Sequence, residues 1–182
     1  MSSIEDLTPG VWNVDPAHST IAFVARHLMV TKVRGQFTKF EGTVTIAEDR
    51  LQSKVEATVE IDSITTNDET RDGHLKSSDF FDLEKNPTMT LVSTGLEEKG
   101  RDKYLMHSNL TINGTTNPVD FDLEFEGVSG DPWGGTRAGF SATADVNRKD
   151  WGIEWNVMLE TGGVMIGEKV KLELDIQAVK AA

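Results

Sequence analysis

The chain has 182 residues, no cysteine, and 30 acidic against 18 basic residues, for a formal charge of -12. One apolar core fits that length, so a single domain over residues 1–182 is expected, and the missing cysteines exclude disulfides, thiolate metal sites and cysteine nucleophiles. The acidic balance, with no local basic stripe, argues against nucleic acid as a partner.

The opening residues Met1–Gly10, MSSIEDLTPG, carry acidic groups where a signal peptide needs an apolar segment, which predicts a cytoplasmic protein. A short strand fits 11–14, and Asp15-Pro16-Ala17-His18-Ser19 reads as a turn entering a second strand over 19–27. The next strand, 33–47, changes parity partway: Val33, Gly35 and Phe37 share one face, Phe40, Gly42, Val44 and Ile46 the other. A bulge near Thr38 and Lys39 restores both sets to one side. Val55, Ala57, Val59 and Ile61 continue the two-residue period.

Asp68–Ser77 is the one clear helical stretch, with Asn67 or Asp68 as its N-cap. Strands follow over 87–97 and from Tyr104 to Ile112, and Asn113-Gly114 supplies the chemistry of a hairpin turn. The alternation is cleanest at 118–126, where Val119, Phe121, Leu123 and Phe125 oppose Asp120, Asp122, Glu124 and Glu126. Turns at Gly130-Asp131-Pro132 and Gly134-Gly135 lead to a strand over 136–146 and a second short helical turn at Asn147–Gly152. The last strand alternates Val170, Leu172, Leu174, Ile176 and Ala178 with polar residues. No apolar run approaches the roughly 18 to 20 residues that would span a bilayer as a helix.

About eight long strands and almost no helix define an all-β class. A sheet with one apolar face and no helical layer buries that face on a second sheet or by closing on itself. An eight-stranded barrel has an interior that side chains fill or that holds one small ligand. Small inward residues, among them Gly35, Gly42, Ala57, Ser93, Ser108, Ala138, Ala142 and Ala144, permit a cavity, while tight packing between two sheets fits the same alternation.

Catalytic candidates are few. His18-Ser19 beside Asp15 reads more simply as a turn, and His74 with Asp72 and Asp79 matches no closed metal spacing. Gly162, Gly163 and Gly167 lack the lysine and helix of a phosphate loop. No catalytic residue, metal or cofactor is expected. His27 shares parity with Ile21, Phe23 and Ala25 and points inward at its strand end. Cations able to meet an anionic head group include Arg26, Lys32, Arg34, Arg71, Arg137, Arg148 and Lys149. Phe80, Phe81, Trp133, Trp151 and Trp155 stand in loops or short helices, as covers for an opening or as plugs of a core.

Together these segments carry a resemblance. Trp12-x-Val14-Asp15-Pro16-x-His18-Ser19-x-Ile21-x-Phe23, Arg26-His27, Val33-Arg34-Gly35-x-Phe37, Arg71-Asp72-x-His74-Leu75-x-Ser77-x-Asp79-Phe80-Phe81-Asp82 and Asn147-Arg148-x-Asp150-Trp151-Gly152 resemble the YceI family of polyisoprenoid-binding proteins. The likeness runs from about residue 11 to 179. It implies an extended, lipocalin-like, eight-stranded antiparallel barrel capped by a short helix, a homodimer, and a bound isoprenoid chain such as a polyprenyl diphosphate or a quinone tail.

On that reading the wall is formed by Ile21, Phe23, His27, Phe37, Phe40, Val44, Leu75, Phe80, Phe81, Met89, Leu91, Leu110, Phe121, Leu123, Phe140, Trp151 and Ile166. The head-group candidates are His27, Arg34, Arg71 and Arg148. Two alternatives stand beside a lipid carrier: a lipid-acting enzyme using His18, His27 or His74, and a solid stress-response barrel whose acidic exterior serves solubility.

Overall fold

Alternating residues make a wall with one apolar face, and here the wall closes on itself. The computed structural model describes residues 2–159 and 165–182. Its strands are β1 (Gly10–Val14), β2 (Thr20–His27), β3 (Thr31–Phe37), β4 (Phe40–Ile46), β5 (Lys54–Glu60), β6 (Ile64–Thr65), β7 (Thr88–Gly100), β8 (Lys103–Ile112), β9 (Thr115–Gly130), β10 (Thr136–Asn147) and β11 (Ile166–Lys180). One α-helix, α1 (Glu69–Lys76), lies between β6 and β7.

The strand pairings among the described residues are antiparallel. A ring runs β1-β4-β5-β7-β8-β9-β10-β11 and closes where β11 meets β1 through Trp12↔Lys180 and Val14↔Ala178. Above that seam β2 continues β1 along β11 (Ile21↔Leu174, Ala25↔Val170), and β3 continues β4 along β2 (Ile21↔Phe37). With β1–β2, β3–β4 and β5–β6 each counted as one interrupted stave, the sheet is a closed eight-stranded barrel. Closure leaves no open edge along the ring.

The long strand expected over 33–47 breaks at the residues whose parity changes. β3 ends at Phe37, β4 starts at Phe40, and Thr38 N–H donates sideways to the Ser63 side chain at 3.1 Å. Phe37 and Phe40 therefore both face inward and are buried, although they are three positions apart. Asn113 and Gly114 take positive φ (53° and 72°), the conformation that a tight hairpin between β8 and β9 requires.

Several strands outrun their alternation. β9 begins at Thr115, because the β8 ladder extends to Ile112↔Thr115; the polar Thr116 is also held by the Thr111 hydroxyl at 2.7 Å, and the Asn117 side chain donates to the Asp150 carbonyl at 2.7 Å. Pro118 is tolerated there because β10 joins β9 only from Thr143↔Asp122 onward, leaving the proline a single neighbouring strand. Helix α1 starts on Asp68, whose carboxylate accepts from Arg71 N–H at 3.0 Å.

The two ends of the barrel differ. At one, Trp12, Leu7, Ile46, Phe125 and Ala178 form a buried plug, with the Trp12 indole donating to the Thr8 carbonyl at 3.0 Å. A 3-10 turn at Ile4–Asp6 brings Ile4 and Leu7 onto it. At the other, Phe37, Phe40, Val59, Ile61 and Met89 pack against Leu75 of α1 and against Phe81 and Leu83 of the loop that follows.

Candidate functional site

Between those ends the inward side chains pack side by side, Met106, Leu110, Phe121, Ala142 and Trp151 among them, and leave the middle open. They surround a cavity of about 620 Å³ along the barrel axis. This volume lies in the range of pockets that hold small organic ligands, roughly 300 to 1,000 Å³.

The cavity wall takes Ile21, Phe23 and His27 from β2, Phe37 from β3, Phe40 and Val44 from β4, and Met89 and Leu91 from β7. It continues with Leu110 of β8, Phe121 and Leu123 of β9, Phe140 of β10 and Ile166 of β11. Leu75 reaches it from α1, Phe80 and Phe81 from the following loop, and Trp151 from the 3-10 turn at Arg148–Trp151. Buried hydroxyls in the barrel wall are spent on backbone: Ser93 Oγ accepts from Val55 N–H at 2.8 Å, and Ser108 Oγ donates to the Val119 carbonyl at 2.7 Å.

Aromatic rings crowd the α1 end. His74 packs edge-on against Phe80 (5.0 Å between centroids) and Trp155 (4.5 Å), and its Nε2 lies 2.8 Å from Asp79 Oδ2. The Asn113 side chain donates to the Phe80 carbonyl at 2.8 Å, pinning this loop to the β8–β9 hairpin. Phe81 stands edge-on to Phe37 at 5.9 Å.

Cationic or basic wall residues gather at the same end, Arg148, Arg71 and His27 beside His74 and Arg26. Arg148 is 6% exposed and has no carboxylate in ion-pair contact among the described residues. Its Nε donates to the Gly167 carbonyl (2.9 Å), Nη1 to those of Ile153 (2.8 Å) and Trp155 (3.0 Å), and Nη2 to that of Ile166 (3.3 Å). Burial works against its charge and pulls its pKa below the usual arginine value, an effect that nearby Glu168 partly offsets. Arg71 donates to the Thr66 hydroxyl (2.7 Å) and carbonyl (2.8 Å), and Asp72 accepts from the same hydroxyl at 2.6 Å. His27 pairs in register with Ile166. The contacts of Trp155 and Ile166 thus link Arg148, His27 and the helix face of Arg71 and His74 into one rim.

Arg34 is not on that rim. It sits on the outer face of β3 in an ion pair with Glu173 of β11, crossing over Ala22 of the strand between them. Its own parity explains this, since Val33 and Gly35 point inward on either side. Trp133 does not cover the cavity either: it stands 80% exposed in the β9–β10 loop. Arg137 is tied to Asp15 and Asp131 on the exterior, and Lys149 to Glu168.

Other wall residues were absent from the sequence-based set. Ile4 and Leu7 close the bottom of the cavity, and their three-residue spacing in a polar opening segment is the signal that marks them. Trp155 and Arg50 also line it; the loop position of Trp155 marks it as a cover or a plug, whereas nothing local in the sequence points Arg50 inward. His18 binds Asp15 at 2.7 Å on the exterior, while the Ser19 hydroxyl is engaged with the Gln177 backbone and is not aimed at His18. Among the described residues no group of three or more His, Asp or Glu is placed to hold a metal ion. Gly162 and Gly163 lie outside the described residues.

A closed antiparallel barrel with an apolar axial cavity and a polar rim at one end defines a lipocalin-like barrel. The YceI-like domain model matches residues 12–178, and the chain belongs to that family. A UPF0312 protein of Staphylococcus epidermidis is 42% identical over 164 residues, covering 89% of this chain and 93% of the relative. Among solved structures, Burkholderia cenocepacia BcnA superposes with a TM-score of 0.77 at 21% identity, over 90% of this chain and 98% of that one. A polyisoprenoid binding domain from Saccharophagus degradans, implicated in plant cell wall breakdown, gives 0.73 at 14% identity, over 96% and 100% of the two chains. At these identities both structures establish the shared fold.

Proposed function

We propose that the protein binds a long-chain isoprenoid lipid, a polyprenyl diphosphate or a quinone-like molecule, in the axial cavity, and carries or stores it. The observation that carries this reading is the shape of the cavity. It is about 620 Å³ of apolar space plugged by Leu7 and Trp12 at one end and rimmed by Arg148, Arg71 and His27 at the other. A chain molecule with one polar end fits such a space with its tail toward the plug and its head at the rim. Each CH₂ taken from water contributes roughly 0.8 kcal/mol, so affinity rises with chain length and offsets the cost of ordering the tail. The binding named for the Saccharophagus degradans domain agrees with this reading. The seventeen wall residues named from the sequence are the proposed contacts, with Arg148, Arg71 and His27 at the head group.

The protein is proposed to act without turnover. Of the histidines an enzyme would need, His18 lies outside the barrel on Asp15, and His74 is held by Asp79.

Organic extraction of the purified protein followed by mass spectrometry tests the proposal. A stoichiometric isoprenoid is the expected result. Fatty acid in its place changes the ligand class, and an empty extract after expression alongside polyprenyl synthesis removes the reading. Loss of a lipid-modifying activity on His74→Ala would establish the enzyme instead.

A further inference from the structure

The β2–β3 hairpin carries apolar side chains where its backbone favours small polar ones. Leu28 and Met29 both have positive φ (54° and 63°) in a turn closed by Val30 N–H donating to the His27 carbonyl at 3.2 Å. Asn and Gly suit that conformation; side chains as bulky as these are strained in it. Leu28, Met29 and Val30 are nevertheless 42%, 48% and 75% exposed. Backbone hydrogen bonds from Leu28 to Met165 and from Met165 to Val157 (2.7 and 2.9 Å) bring a second exposed pair alongside, Val157 and Met158.

This patch adjoins the cavity mouth, since the chain neighbours Arg26, His27 and Met165 line the cavity. Arg26 and Lys32 stand directly opposite each other across the hairpin, and neither forms an ion pair among the described residues. Opposed like charges weaken a strand pair, so this pair is not there to hold the hairpin together. In a chain of net charge -12, two facing cations beside exposed apolar residues are the local reverse of the general surface.

We infer that the hairpin tip is a membrane-docking element: Leu28, Met29 and Val30 enter the interface of an anionic bilayer, with Arg26 and Lys32 at its head groups. This rests on the proposed lipid cargo, because it places the cavity mouth where an isoprenoid can pass between bilayer and barrel without crossing water. Apolar side chains flanked by cations are the pattern that lies in such an interface. A second copy of the chain is a poorer occupant. Five exposed apolar side chains fall short of the about 20 to 30 residues a side of a standard protein interface. A two-fold contact centred on the tip would also bring the two cationic pairs toward each other.

The test is vesicle flotation of the full chain as purified, with phosphatidylglycerol and with phosphatidylcholine vesicles, for wild type, the double variant L28N/M29G and Lys32→Glu. L28N/M29G installs the residues the turn prefers, so the hairpin stays folded, and neither residue lines the cavity. Expected is wild-type binding to phosphatidylglycerol, lowered roughly tenfold or more in L28N/M29G, one Leu-sized side chain withdrawn from lipid accounting for about that factor. Lys32→Glu is expected to bring phosphatidylglycerol binding down to the phosphatidylcholine level. Unchanged binding in L28N/M29G overturns the proposal, as does absence of wild-type binding. A wild-type dimer that L28N/M29G splits, with no vesicle binding, overturns it in favour of contact between copies. Extraction of the same samples separates the two readings. Vesicle binding with an empty extract supports docking and removes the cargo, whereas retained isoprenoid without vesicle binding removes docking alone.

Discussion

Phe23 lies over Gly35 so closely that a Cβ built on the glycine would stand 2.2 Å from the ring's Cζ. The two residues are register partners across β2 and β3, and the Phe23 ring packs on Phe37 with centroids 5.8 Å apart. Gly35→Ala must therefore displace the ring, and the open side is the cavity. Overpacking of this kind costs about 1 to 3 kcal/mol. A lower urea midpoint together with reduced retention of extractable lipid is expected. A variant matching wild type in both would show that the ring moves freely and does not shape the cavity.

That contact also shows how far the sequence is readable. Alternation alone places Phe23, Gly35 and Phe37 on one face, and the parity change at Thr38 and Lys39 locates the strand break. Alternation is a local signal, fixed by backbone pleating, so it survives into the structure wherever a strand exists. It assigns Arg34 outward by the same rule that puts its neighbours inward, so charge alone is a poor guide to which arginine reaches the rim. It says nothing about segments without a period: Leu7, Trp155 and Trp133 each sit where loop paths across the barrel put them. The rim is equally non-local, because Arg148 is placed by carbonyls from Ile153, Trp155, Ile166 and Gly167.

Acid should weaken the barrel through Asp15. Hydrogen bonds from Arg137 and then His18 hold its carboxyl at a pKa of about 2, against an ordinary aspartate value of about 3.9. A lowered folded-state pKa contributes stability above the unfolded value that is lost as pH falls through the folded one. The urea midpoint of wild type should accordingly exceed that of Asp15→Asn at pH 6, with the gap closing between about pH 4 and pH 2. A gap unchanged down to pH 2 would mean that the carboxylate charge contributes nothing.

His107 behaves in the opposite sense. On the outer face of β8 its Nδ1 lies 2.7 Å from Asp120 Oδ1 and its Nε2 meets Glu97, and these two carboxylates, Asp120 foremost, raise its pKa. Its contribution is complete below the unfolded histidine value of about 6.5 and disappears as pH rises through the folded value. An NMR titration should place the His107 midpoint above that reference, with Asp120→Asn lowering it more than Glu97→Gln. Added salt should shrink the shift, since the group is open to solvent. A midpoint at the reference value in low salt would contradict the paired geometry.

Arg148 combines two roles that substitution can separate. Its guanidinium satisfies four backbone carbonyls that bind the segment at Ile153–Trp155 to the start of β11, and it does so from a site 6% exposed. Arg148→Met fills similar space but leaves those carbonyls without donors, a loss of about 2 to 4 kcal/mol when each exposed group is only partly rehydrated. Arg148→Lys keeps the charge yet cannot reproduce the planar fork, so part of that loss remains. If stability were the whole role, both variants would retain polyprenyl diphosphate and the uncharged polyprenol in the same ratio as wild type. With the proposed head-group contact, Arg148→Met loses the preference for the diphosphate while Arg148→Lys keeps most of it. The retained ratio of the two lipids, measured on folded protein at a temperature below both melting transitions, decides between them.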